Sequence, residues 1–181
     1  METFADLKDF VENPDYHEQR NESLRKIAMD TIDPPIVEII DGFSKLPYCF
    51  TLQSCYGHFL YSGQKDEKNI ELLPASEDIA EVDYRIAYVA LCIEDSDPGR
   101  ELFNELSEVA AIDSEYIQFC CVDWFWKDQV NSYALQVEPE RYKIKDRCSV
   151  SYQKALHIEK VRNQFFAEIG RIVQDKLNKK H

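Results

Sequence analysis

Apolar residues recur along this chain at two spacings, and the alternation between them marks out the elements. Phe4, Leu7, Phe10 and Val11, then Leu24, Ile27 and Ala28, fall at helical spacing and predict helix over residues 3–32, interrupted at Asn13-Pro14. Asp33 as an N-cap with Pro34 in the first turn opens a further helix, striped by Ile36, Val37, Ile40 and Phe43 and ended by Pro47. Residues 48–54 then alternate as a strand, with Phe50 and Leu52 on a packing face and Cys49, Thr51 and Gln53 on the other. A short return strand over residues 58–62 would make this a hairpin about Gly57. Residues 63–81 are charged and irregular, as expected of a long surface loop.

Further on, residues 84–93 are apolar on both faces and predict a central strand. A helix opens at Asp97-Pro98, striped by Leu102, Phe103, Leu106, Val109 and Ala110. Residues 116–122 and 130–138 predict an antiparallel pair, with Trp124, Phe125 and Trp126 at the connecting turn, where packing is their expected role. Adjacent Cys120 and Cys121 must point to opposite faces. A long C-terminal helix from about residue 149 buries Ile158, Val161, Phe165, Ile169 and Ile172, and the final KLNKKH is expected to fray. The expected core is Phe50, Leu52, Tyr88, Val89, Leu91, Leu106, Phe119, Leu135, Phe165 and Ile169.

The elements add up to an α+β fold, a mostly antiparallel sheet of about four or five strands with several helices. With 181 residues a single domain is expected, with a helical N-terminal segment (1–32), an α/β core (33–138) and a basic segment with the C-terminal helix (139–181). The terminal helix can bury its stripe on its own sheet or on a second copy, so periodicity leaves the oligomeric state open.

Charge changes this picture. The formal net charge is -13, but residues 1–140 carry 10 Lys/Arg against 30 Asp/Glu, whereas residues 141–181 carry 11 against 4. The acidic total opposes unaided nucleic-acid binding. Arg141, Lys143, Lys145 and Arg147 nevertheless alternate, so an extended backbone would put all four on one face, toward RNA phosphates or toward the acidic body. No apolar run reaches the length of a membrane span and the first residues are too acidic for a signal peptide, so a cytoplasmic protein without membrane contact is expected. The six irregularly spaced cysteines suit reduced core thiols better than a disulfide framework.

Chemistry concentrates in YCFTLQSCYGH, residues 48–58, where a polar strand end meets a glycine turn. The plainer alternative is a strand-to-strand turn with a half-buried thiol. The five glycines, Gly42, Gly57, Gly63, Gly99 and Gly170, allow neither a P-loop nor a dinucleotide fingerprint. Cys55-x-x-His58 is half of a metal site at most, because zinc needs three or four ligands and no second paired motif exists, so no metal is expected. A Cys55 nucleophile with His58 as base lacks an orienting third group in the sequence. His17 and His157 fall on helices, where solvated or capping roles are expected.

The segment IDPPIVEIIDGFSKLPYCFTLQSCYGHF resembles the opening of the wybutosine-synthesising tRNA methyltransferase family, whose motif is close to TTSSCSGR. Thr51, Ser54, Cys55 and Gly57 match it, while Leu52, Gln53, Tyr56 and His58 depart. The likeness extends over residues 32–138, whereas the family's later GFRNSG-like signature has no counterpart beyond the Arg162-Asn163 pair, which lies inside a predicted helix. The resemblance implies S-adenosylmethionine as cofactor, tRNA as partner, and a ligand site at Thr51, Ser54, Cys55, Gly57 and His58, with Arg141 to Arg147 facing RNA. His58 stands where the family has a permanently cationic arginine, and a histidine is expected to be mostly neutral there. Two readings follow: a methyltransferase-like enzyme, or a non-catalytic small-molecule or protein-binding α+β domain.

Overall fold

The computed structural model describes residues 4–139 and 146–179. In chain order the elements are β1 (Phe4–Ala5), α1 (Tyr16–Lys26), α2 (Val37–Lys45), β2 (Cys49–Cys55), β3 (His58–Leu60), β4 (Glu81–Arg85), β5 (Ala87–Ile93), α3 (Asp97–Glu108), β6 (Ile117–Val122), α4 (Asp123–Asp128), β7 (Ser132–Val137), β8 (Arg147–Ser151) and α5 (Tyr152–Asn178). The fold is α+β. One antiparallel sheet has the order β1-β6-β7-β5-β2 and a second has the order β3-β4-β8.

Alternation along β5 divides the apolar interior. Ala87, Val89, Leu91 and Ile93 face the main core with Ile158, Phe165, Ile169 and Ile172 of α5 and Ile36, Ile40 and Phe43. On the other face Cys92 packs with Phe50 and Tyr16, and Ala90 with Cys120, Val122 and Ala134. Cys120 and Cys121 do part to opposite faces, since Cys121 belongs to the main core.

Helix α5 starts at Ser151, whose hydroxyl accepts from the Lys154 N–H at 3.3 Å. Its stripe is buried as the spacing predicts. Of the final segment expected to fray, residues 176–178 stay in the helix, while Lys180 and His181 lie outside the described residues. Buried Lys176 pairs with Glu101 at 2.8 Å and Glu105 at 2.7 Å, which ties the last turns to α3. Among the described residues no helix is long and apolar enough to cross a membrane.

Several expectations about the elements change. Residues 6–13 form no helix: Tyr133 Oη donates to the Lys8 carbonyl, and the Asn131 side chain pairs with both the N–H and the carbonyl of Val11. Phe10 packs on Phe103 and Tyr133, so tertiary partners satisfy a backbone that helix would have satisfied locally. The return strand β3 pairs with β4 rather than β2, so there is no hairpin about Gly57. The apolar run 84–93 divides at Ile86 between the two sheets. There the buried Tyr84 hydroxyl accepts from Ala87 N–H at 2.8 Å and donates to the Val137 carbonyl at 2.9 Å, bridging the break. The aromatic turn at Trp124 to Trp126 is the short helix α4. Residues 147–151, expected in part as helix, form β8.

Of the expected core, Leu52, Tyr88 and Phe119 are only half-buried. The stripe Arg141, Lys143 and Lys145 lies outside the described residues. Arg147 is exposed in β8 and pairs with Glu67 at 3.1 Å.

Candidate functional site

Strand β2 is positioned from below by α1. Arg20 donates to the carbonyls of Ser44 (2.7 Å) and Leu46 (3.0 Å) at the end of α2, and to that of Cys49 at the start of the strand (3.2 Å). One guanidinium therefore satisfies carbonyls that a helix end leaves without partners. Along β2 the register with β5 shifts between Thr51 and Gln53, making Leu52 an extra residue. Thr51 pairs with Leu91 and Ser54 with Val89, so the bulge breaks the simple two-face alternation.

The bulge distributes the motif over two places. Thr51 and Ser54 line an open groove of about 600 Å³ between α1 and β2, together with Glu22, Ser23, Gln53 and Tyr88. Ser23 Oγ donates to the Thr51 carbonyl at 3.1 Å, and Tyr88 Oη to Gln53 Oε1 at 3.2 Å. Cys55 and His58 instead turn inward to Asp33. Gly57 sits between them with φ +89°, close against Ala87, and its carbonyl accepts from Arg162 Nη1 at 2.9 Å.

The expected N-cap Asp33 makes no capping hydrogen bond. Its Oδ2 accepts from Tyr56 N–H at 2.8 Å and lies 3.1 Å from His58 Nε2. His58 Nδ1 faces the Asn69 carbonyl at 3.0 Å. Both ring nitrogens thus meet acceptors, which a neutral imidazole with one N–H cannot satisfy. Burial pushes the His58 pKa down, but the Asp33 carboxylate, Cys55 and the Asn69 carbonyl outweigh it and the value is pushed up to about 10. Burial raises the Asp33 carboxyl, yet His58 and the Tyr56 N–H outweigh that and hold it below its usual value. The expectation of a mostly neutral His58 is corrected: with these partners it is a cation, as the arginine would be. Its charge is buried and already matched.

The linkage has a definite sign. The stabilisation from His58 is complete below its unfolded value near 6.5 and is lost progressively as pH rises from there through about 10. That from Asp33 is complete above its unfolded value of 3.8 and is lost as pH falls through the depressed folded value. Urea unfolding from pH 6 to 10 should show a decline that His58→Gln flattens. An identical decline in the variant would exclude the imidazolium assignment.

Arg162 completes the arrangement. It is fully buried in α5, its guanidinium 4.0 Å from the Tyr56 ring centroid and 5.1 Å from that of Phe59. Burial lowers its pKa. Tyr56 Oη donates to Asn163 Oδ1 at 3.2 Å, so the Arg162-Asn163 pair lies directly against the Tyr56-Gly57 turn. The sequence carried one sign of this, a cation on the buried stripe of a helix. Nothing local linked Asp33 to His58, 25 residues away. Across the second sheet the register places His58 beside Arg85 and Arg85 beside Arg147, a row of cations running from the interior to the surface. Arg85 lies 3.6 Å from Asp146. His157 pairs with Asp113 at 2.9 Å and His17 approaches Glu94 at 3.5 Å, both on the surface.

No protein-family model matches the chain, and neither does any curated protein. Among solved structures the chain is similar to the PH1069 protein from Pyrococcus horikoshii, with a TM-score of 0.50 and 11% identity over 92% of this chain and 96% of that one. A structure of the PH1069 protein from Pyrococcus horikoshii OT3 aligns with a TM-score of 0.46 and 10% identity over 92% and 95%. At such identity the likeness to the first of these is one of fold alone.

Proposed function

We propose that the protein is a methyltransferase-like enzyme that binds S-adenosylmethionine and acts on tRNA. The observation that carries this reading is the shared placement of Thr51 and Ser54, two of the residues that match the family's motif, in one open groove. The groove supports it as well: its volume of about 600 Å³ suits a nucleoside-sized cofactor, and Thr51, Ser54, Glu22 and Ser23 offer polar contacts. Methyl transfer depends mainly on holding the acceptor nitrogen in line with the sulfonium carbon, so positioning groups suffice for it. The row Arg85 and Arg147 would face phosphates.

One observation favours a non-catalytic binding domain instead. His58, Arg85 and Arg147 each have a carboxylate partner, in Asp33, Asp146 and Glu67, which an incoming anion must displace. Calorimetric titration with S-adenosylmethionine, followed by methyl incorporation into tRNA, separates the readings. Heat at micromolar to millimolar cofactor with incorporation supports the enzyme. No heat at millimolar cofactor removes it, and heat without incorporation leaves the binding domain.

A further inference from the structure

We infer that Asp33, Cys55 and His58 form a binding site for a single divalent transition-metal ion, with zinc as the favoured metal. One ligand atom from each residue lies within 4.8 Å of the others, and Nε2 and Oδ2 are 3.1 Å apart. Around a tetrahedral zinc a nitrogen and an oxygen ligand stand about 3.3 Å apart, and a nitrogen and a sulfur about 3.6 Å. The three side chains therefore lie within reach of that geometry by small rotations. The motif Cys55-x-x-His58 holds two ligands; the fold supplies the third, Asp33, from the turn that precedes α2.

A second observation points the same way. Ligating histidines hold their other ring N–H on a carboxylate or carbonyl, and ligating carboxylates are themselves hydrogen-bonded. Here His58 Nδ1 is held by the Asn69 carbonyl at 3.0 Å, which leaves Nε2 facing Asp33 at 3.1 Å. Asp33 Oδ2 is held by the Tyr56 N–H at 2.8 Å. The outer hydrogen bonds of a metal site are thus built independently of any metal. Gly57, at φ +89°, turns the chain so that residues three apart face the same point.

The donor set of one thiolate, one imidazole and one carboxylate selects a borderline-soft cation such as zinc, and disfavours calcium and magnesium, which take oxygen ligands. The metal would take the place of the Nε2 and thiol protons, both passing to solvent. Three protein ligands leave a fourth position for water or a substrate atom, and Asp33, the least buried of the three, marks the side from which it is reached.

Cobalt(II) titration of the chelator-treated full chain tests the site. The expected result is a one-to-one complex with a thiolate-to-cobalt charge-transfer band and intense visible bands of tetrahedral cobalt, both abolished by zinc. Cys148→Ser should keep the charge-transfer band and Cys55→Ser should lose it. His58→Gln and Asp33→Asn should each weaken binding by about a hundredfold or more, beyond the range seen for outer-shell groups. Zinc at hundredfold excess over its Kd should raise Tm by about 5 to 10 °C in the native sequence only. Should Cys55→Ser not fold, the His58 and Asp33 variants decide the matter alone. Absence of the band at millimolar cobalt, a band that survives in Cys55→Ser, or unchanged affinity in both other variants would overturn the site.

Discussion

Phe165→Ala is expected to destabilise the protein by about 3 to 5 kcal/mol in equilibrium urea unfolding, with the midpoint shifted and the slope retained. Phe165 is fully buried in the main core, and its ring meets Phe166 edge-on at 4.9 Å. Truncation removes its apolar surface from the interior and leaves a cavity, because α5 is held along its length by α2, by the sheet and by the Lys176 ion pairs and cannot collapse inward. Loss of transfer energy and of packing therefore add. A cost below about 1 kcal/mol would mean that α5 does not seat on the core as described.

Gly57→Ala should cost about 2 to 5 kcal/mol, against about 1 to 2 for Gly63→Ala. Both glycines have positive φ, +89° and +93°, so both variants carry backbone strain. A Cβ at Gly63 meets nothing within 4 Å, whereas one at Gly57 would fall 2.8 Å from Ala87 Cβ and 3.1 Å from Ala87 N. The neighbour cannot yield easily, because Ala87 is the first residue of β5 and its N–H is bonded to Tyr84 Oη. From sequence Gly57 reads as a ligand-facing turn whose replacement disturbs binding more than folding. The packing points to a cost in folding as well, since the space beside Gly57 is filled by the protein itself. Equal costs for the two variants in paired unfolding curves would show that backbone strain alone explains them.

The sequence by itself determined the elements whose signal is local and long. The stripe of α5, the helix α3 and the pair β6 and β7 follow from periodicity because each buries one continuous face, and burial of such a face demands that spacing of apolar residues. The fold class followed with them. The chemistry of residues 48–58 was legible as composition, a thiol and an imidazole about a glycine, and so was the positive charge of the C-terminal segment.

Tertiary structure alone decided how these parts meet. Strand partners carry no local mark: β3 turns to β4 because Gly57 lies against Ala87 and Tyr84 bridges the two sheets, contacts between residues far apart in sequence. The N-terminal residues 6–13 forgo helix because Asn131 and Tyr133 offer their backbone hydrogen bonds at no loss of burial for Phe10. The bulge at Leu52 sends Thr51 and Ser54 to the groove and leaves Cys55 with His58, a division that depends on pairing with β5. The charge of His58 depended on two acceptors, Asp33 and the Asn69 carbonyl, that only the folded chain brings to its two nitrogens. Side-chain chemistry is written residue by residue, but a site is set by distances between residues, and those arise when the core closes.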